Sequence, residues 1–75
     1  MITGEQVRTA RDLLGWSPKQ LADKVALSVK TLEAFEDGRE RLIMVHKQVL
    51  RDVLERAGAR FVDGKPVRLK MRRSL

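Results

Sequence analysis

The segment with the clearest signals of local structure runs from Ser17 to Gly38 and reads SPKQLADKVALSVKTLEAFEDG. Ser17 is a good N-cap residue, and Pro18 suits the first position of a helix, where a missing N–H costs nothing. Ser28 is a second good N-cap, and Gly38 suits a left-handed C-terminal cap. The stretch therefore predicts two short helices joined by about three residues, which is the spacing of a helix-turn-helix.

The apolar and small residues of this stretch fall in a recognisable register. They are Leu21-Ala22, Ala26, Leu27-Ser28, Leu32, Phe35-Glu36 and Gly38. Together they resemble the Xre/Cro-type helix-turn-helix, the fold of the lambda-like phage repressors. The resemblance covers roughly residues 3 to 58, and it implies a mainly α, compact four-helix DNA-binding domain of the lambda-repressor type.

A capped helix is also predicted before this stretch. Thr3 and Gln6 have the spacing of a capping box, and Gly15 is placed to end the helix. We expect its buried stripe to consist of Val7, Ala10, Leu13 and Leu14. Trp16 follows, and its simplest role is to pack between the first two helices; stacking on nucleic acid is the alternative.

The spacing of apolar residues differs between the last helix and the end of the chain. Apolar residues return with helical spacing up to Gly58, at Leu42, Val45, Val49, Leu50, Val53, Leu54 and Ala57. After Gly58 the alternation has period two around Asp63-Gly64-Lys65, which predicts a β-hairpin. The chain thus divides into a helix-turn-helix domain, 1–58, and a C-terminal ribbon with a basic tail, 59–75.

An isolated two-stranded ribbon is marginally stable in water, so the hairpin needs either the fourth helix or a second copy of itself. Family members of similar length often carry such a ribbon, and the resemblance suggests that it is a dimerisation element and that the chain is a homodimer. The residues expected at this interface are Phe61, Val67, Leu69 and Met71.

Net charge and composition limit the classes of partner that the chain is expected to have. The 75 residues carry a formal net charge of +6, which favours a nucleic-acid partner. Residues 64–75 hold five bases and no acid, whereas residues 1–63 hold 11 bases and 10 acids, so most of the excess belongs to the C-terminus. There is no cysteine and no long apolar run, so we expect a soluble, cytoplasmic protein without disulfides and without a membrane partner.

Enzymatic chemistry is not expected. The five glycines are scattered singly and form no phosphate-binding loop. His46 is the sole histidine and has neither a second metal-ligating residue nor a nucleophile motif nearby, so a solvated helix position is its simplest assignment. Neither a cofactor, nor a metal site, nor a small-molecule ligand is predicted.

The resemblance implies a set of DNA contacts, carried over position by position. In this fold the third helix, residues 28–37, lies in the major groove of double-stranded DNA. The residues expected at base edges are Ser28, Val29, Lys30, Thr31 and Ala34, although Val29 is equally well placed to be half buried. Phosphate contacts are expected from Lys19, Arg39 and Arg41. Arg11 and Glu36 occupy positions that pair in the family, which implies an ion pair at the edge of the core that fixes the third helix and can present Arg11 to a phosphate. Two unrelated surface charges are the alternative.

Three departures from the family pattern keep an alternative open. Pro18 stands where many members have a glutamine, and Ala34 stands where larger polar residues are frequent. The third helix also carries one base and three acids, Glu33, Glu36 and Asp37, which oppose a polyanion. The first hypothesis is a sequence-specific transcriptional regulator, such as the repressors of this family; the alternative is the same fold used as a protein-interaction or antitoxin-like adaptor.

Overall fold

Four helices and one short hairpin follow each other along the chain in the computed structural model, which describes residues 2–62 and 65–69. The helices are α1 (Gly4–Leu14), α2 (Pro18–Val25), α3 (Val29–Glu36) and α4 (Met44–Arg56). The strands are β1 (Ala59–Arg60) and β2 (Arg68–Leu69). The mainly helical architecture with a small antiparallel sheet is as the sequence predicts.

Local capping sets the beginnings of the first three helices. Thr3 and Gln6 form the predicted capping box of α1, with N–H to side-chain distances of 2.9 and 3.2 Å. Ser17 caps α2, and Gln20 completes a second capping box that the sequence analysis did not identify. Ser28 caps α3 by accepting the N–H of Thr31. These caps satisfy N–H groups that a helix cannot pair internally.

The end of α3 is also as predicted. Gly38 has φ +79°, in the left-handed region that glycine adopts without a Cβ penalty. The N–H of Gly38 donates to the carbonyl of Phe35 at 3.0 Å, and the N–H of Arg39 donates to the carbonyl of Ala34 at 2.8 Å. This pair of bonds is a Schellman motif, and it turns the chain sharply away from α3.

The core joins all elements. α1 packs against α3, α4 and the hairpin, and α2 packs against α3 and α4. The largest fully buried side chains are Leu21, Leu32, Leu50, Leu54 and Val7. Trp16 is half buried against this core, with the ammonium of Lys24 5.0 Å from its ring centroid, so it has the packing role expected. No helix in the described ranges has both the length and the apolar character that crossing a membrane requires.

The predicted buried stripe of α1 is partly wrong, and in α4 several of the apolar residues with helical spacing are exposed. In α1, Leu13 is 45% exposed, and Arg11 is buried instead. In α4, Val45 and Val49 are 61% and 38% exposed. With 3.6 residues per turn, Leu13 lies about 120° from Val7 around α1. The error was to count every apolar residue as inward-facing; the neighbouring helices determine which stripe is covered.

The hairpin lies on its own chain. Ala59 pairs with Leu69 and Arg60 pairs with Arg68 in antiparallel register. Ala59 and Val67 are buried in the core, and the hairpin contacts α1 and α4. Of the two supports expected for the hairpin, the fourth helix and a second copy, the fourth helix is therefore present. The predicted turn residues Asp63 and Gly64 lie outside the described residues, as do residues 70–75, which include Met71 and three of the five C-terminal bases.

Candidate nucleic-acid interface

A sharp turn between α2 and α3 sets the direction of the candidate recognition helix. α2 ends at Ala26, whose φ of +57° is left-handed, and the N–H of Leu27 closes the turn on the carbonyl of Ala22 at 3.2 Å. A small side chain limits the strain of this conformation. Leu21 and Leu32 are fully buried, so the inner faces of both helices are fixed and the outer face of α3 is directed to solvent.

A cluster of polar groups lies at the start of α3. The hydroxyl of Ser28 accepts the N–H of Thr31 at 3.0 Å and donates to the Thr31 hydroxyl at 2.9 Å. Lys30 is exposed beside them, and no ion pair holds it within the described part of the chain. Two hydroxyls and one cation therefore lie at the N-terminal end of an exposed helix face.

The other two predicted base-contacting residues are less accessible. Val29 is half buried and packs against the core. The sequence left two roles open for Val29, contact with a base and packing, and the structure shows the packing. Ala34 is half buried, and its carbonyl accepts the N–H groups of Arg39 and Glu40. The structure therefore brings Ser28, Lys30 and Thr31 together on the outer face and places Val29 and Ala34 at its border.

The acidic end of α3 is paired with arginines of the same chain. Glu36 accepts two N–H groups of Arg11, at 3.0 and 3.1 Å, in the pair that the resemblance implies. Asp37 accepts one bond from Arg8 at 3.4 Å and one from Arg39 at 3.2 Å. Two of the three carboxylates of α3 therefore have cationic partners, which offsets much of their repulsion toward a polyanion.

Arg11 is a buried cation of this region. Besides Glu36, it donates to the carbonyl of Trp16 at 2.9 Å, which links α1, α3 and the segment before α2. The hydrogen bond to Glu36 raises the pKa of Arg11 above its ordinary value, against the opposing effect of burial. Its charge is thus permanent, and it orients α3 rather than reaching solvent.

The predicted phosphate-contacting residues are all exposed. Lys19 pairs with Asp23 at 3.4 Å and is 75% exposed, and Arg39 is 69% exposed beside Asp37. Arg41 is exposed in the connection between α3 and α4. Exposed pairs of this kind are worth at most about 1 kcal/mol, so a phosphate can replace the carboxylate at little cost.

The contact of Arg8 with Asp37 was not predicted from the sequence. The signal for it was present, since Gly4, Arg8 and Arg11 are spaced i, i+4, i+7 and share one face of α1. Gly4 lies directly on the backbone of α3 at Phe35, so that face had to meet the end of α3.

The predicted dimerisation residues lie apart from this interface. Val67 is buried within the chain, Phe61 is half buried against the core, and Leu69 is 39% exposed on β2. Met71 is outside the described residues.

Comparison with known proteins does not identify a family for this chain. No family model matches the chain, and neither a curated protein nor a solved structure matches it.

Proposed function

We propose that the chain is a sequence-specific DNA-binding transcriptional regulator of the Xre/Cro type, with a lambda-repressor-like fold. The observation that carries the proposal is the cluster of Ser28, Lys30 and Thr31 on the exposed start of α3. A helix of this kind fits the major groove of B-DNA with its N-terminal residues at base edges.

The chemistry of the cluster suggests what it reads. Lys30 is a donor suited to the O6 and N7 acceptors of guanine, and the Thr31 hydroxyl bonds either a base edge or a phosphate. The exposed part of Val29 offers a methyl to the methyl of thymine. Ala34 lies further along the helix, where a small residue permits close approach without adding a hydrogen bond.

Phosphates are bound on both sides of the groove in this proposal. Lys19 lies at the start of α2, and Arg39 and Arg41 follow α3. Such contacts position the protein and do not read sequence. The pairing of Glu36 with the buried Arg11, and of Asp37 with Arg8, supports the proposal, because it offsets part of the acidity that favours the adaptor alternative.

Recognition of an operator by such a domain requires two copies. We propose a homodimer on a pseudo-palindromic site, with half-sites about 34 Å apart. The ribbon is the proposed contact, through Leu69 and the half-buried Phe61. Val67 is buried in the core of its own chain, and Met71 lies beyond the described residues.

Fluorescence anisotropy with fragments selected from random DNA tests the proposal. We expect tight binding to the selected fragment over its scrambled version, weakening at least about tenfold between 50 and 200 mM salt. Lys30→Ala should cost about 1–3 kcal/mol of binding free energy and relax the base preference at one position.

Arg56→Ala is the matched control, since it removes an exposed cation from the far end of α4, where Arg56 pairs with Asp52. It should leave the preference for the selected sequence unchanged. Equal affinity for selected and scrambled DNA, or an equal effect of Lys30→Ala and Arg56→Ala, would favour the adaptor alternative.

A further inference from the structure

The exposed face of α3 continues beyond the cluster at its start. Asp37 follows Lys30 by seven residues and still has backbone angles of the right-handed helical region. The two side chains are therefore only about 20° apart around the helix and about 10 Å apart along its axis. The major groove of B-DNA is about 12 Å wide. A helix that holds Lys30 at base edges consequently brings Asp37 to the edge of the groove, where the phosphates lie.

Two arginines from different elements meet at Asp37. Arg8, on α1, donates to Oδ1 at 3.4 Å, and Arg39, which follows α3, donates to Oδ2 at 3.2 Å. Each oxygen of this one anion therefore has its own guanidinium. A phosphate of the DNA backbone also carries two free oxygens on one atom, and arginine matches both kinds of anion. The carboxylate of Asp37 thus occupies a place that suits a phosphate.

The meeting point of these arginines opens into a polar cleft. Its volume is about 360 Å³, and its wall includes Arg8, Pro18, Asp37 and Arg39. Pro18 is next to Lys19 at the start of α2, and Lys19 and Arg39 are both proposed phosphate contacts. Arg8 therefore lies between two points at which the backbone of bound DNA is expected to pass.

The carboxylates around the cleft, rather than a shortage of arginines, limit its affinity for an anion. Arg11 and Glu36 form a buried pair and neutralise each other. The two exposed arginines share the cleft with two exposed carboxylates, Asp37 and Glu33, so it has no excess of positive charge. A phosphate must therefore compete with Asp37 for the arginines.

The exchange of one anion for the other involves only exposed groups. The side chains of Arg8, Asp37 and Arg39 are 56%, 44% and 69% exposed. Exposed ion pairs contribute little to stability, whereas bonds from arginine to phosphate are among the stronger charge-assisted hydrogen bonds. Both arginines can therefore turn from Asp37 to a phosphate without any change in the buried core.

We propose that Arg8 and Arg39 together bind one phosphate of the DNA backbone, and that Asp37 occupies this site in the free protein and competes with the phosphate. The inference rests on the proposed function and adds Arg8 to its phosphate contacts. The competition weakens binding to DNA of every sequence alike, since phosphates carry no sequence information. A larger share of the binding free energy is then left to the base contacts of Lys30 and Thr31.

Two substitutions that raise the net charge equally test the competition on the full chain. Asp37→Asn releases Arg8 and Arg39, and Asp52→Asn releases Arg56 at the far end of α4. By fluorescence anisotropy at 50 mM salt, we expect Asp37→Asn to bind selected and scrambled DNA at least about fivefold more tightly, and Asp52→Asn less than about twofold. Unchanged or weaker binding by Asp37→Asn, or an equal gain in both variants, would overturn the proposal.

Removing Arg8 tests its own contact. Arg8→Ala should weaken binding to every sequence about three- to tenfold and lower the slope of log affinity against log salt by about one, whereas the exposed control Arg56→Ala should change neither. In the Arg8→Ala background, Asp37→Asn should give less than half of its gain on the logarithmic scale. A full gain there would mean that Asp37 acts by repulsion at a distance, and the shared site would be excluded.

Neutral methylphosphonate linkages, placed singly along the selected fragment, locate the phosphate. We expect one linkage to weaken the wild-type protein at least about fivefold and Arg8→Ala less than about twofold. The same weakening of both proteins at every linkage would show that Arg8 binds no phosphate. Preference for the selected sequence and its loss in Lys30→Ala are measured separately, so this inference can fail while the assignment of α3 stands.

Discussion

Arg11 shows how one side chain can hold a recognition helix. Its guanidinium contacts the Glu36 carboxylate through two N–H groups and the Trp16 carbonyl through a third. The side chains of Arg11 and Glu36 are 10% and 4% exposed, so both charges are largely desolvated. Because the pKa of Arg11 is raised, the stabilisation that its charge provides is complete below its ordinary pKa and is lost only as the pH rises through the higher, folded-state value.

Removing Arg11 leaves the Glu36 carboxylate buried without its partner. For Arg11→Ala we expect the free energy of unfolding to fall by about 3–5 kcal/mol in urea titrations followed by circular dichroism. Arg11→Lys should recover only part of this loss, since an ammonium cannot make the two parallel N–H bonds.

The exposed ion pair of Asp52 and Arg56 serves as the control for the predicted loss of stability in Arg11→Ala. Arg56→Ala should cost less than about 0.5 kcal/mol. Equal losses for Arg11→Ala and Arg56→Ala would mean that the buried pair does not stabilise the fold.

The contact between α1 and α3 depends on the absence of a side chain at Gly4. A Cβ there would lie 2.8 Å from the carbonyl carbon of Phe35 and 2.9 Å from the Cα of Glu36. The Phe35 carbonyl also accepts the N–H of Gly38, so the backbone at the end of α3 has little room to move. Glycine at this position allows α1 to reach the end of α3.

Gly4→Ala is informative because its sign is opposite to that expected for an isolated helix. Helix propensity alone predicts a gain of up to about 1 kcal/mol. Overpacking against α3 predicts instead a loss of about 1–3 kcal/mol, together with weaker DNA binding if α3 is displaced. Thermal unfolding and anisotropy measure the two effects, with Glu5→Ala as an exposed control; an increase in stability would contradict the close approach.

In the described fold, the hairpin completes the core and also leaves apolar side chains at the surface, Val62 and Leu69 among its described residues. Ala59 and Val67 are buried against the helices, whereas Leu69, the strand partner of Ala59, is 39% exposed. The same ribbon therefore has an inner residue needed for folding and an outer residue suited to a second copy.

Aspartate substitutions separate these two roles. Val67→Asp buries a charge and should lower the free energy of unfolding by several kcal/mol at any protein concentration. Leu69→Asp should leave the unfolding of dilute protein nearly unchanged and convert the expected dimer to a monomer in sedimentation velocity experiments. A dimer that persists in Leu69→Asp would exclude the ribbon as the contact.

Features that involve only neighbouring residues were predictable from sequence. The caps at Thr3, Ser17 and Ser28 each need one bond between residues three apart, so their spacing was sufficient to place the starts of the first three helices. The left-handed ends at Gly15 and Gly38 are equally local. Since these signals bracket α2 and α3, the polar group at the start of α3 could be located before the fold was known.

The four helices, the turn between α2 and α3, and the presence of a C-terminal hairpin were thus predictable from the sequence, whereas the pairing of Ala59 with Leu69 is a finding of the structure. The exposure of Leu13 and Val45, and the sharing of Asp37 by Arg8 and Arg39, depend on how the helices pack and could not be predicted from the sequence. The difference follows from how far apart along the chain the interacting residues are. A cap or turn is satisfied within one helical turn, whereas the burial of a side chain and the partner of a charge depend on which distant element packs against it.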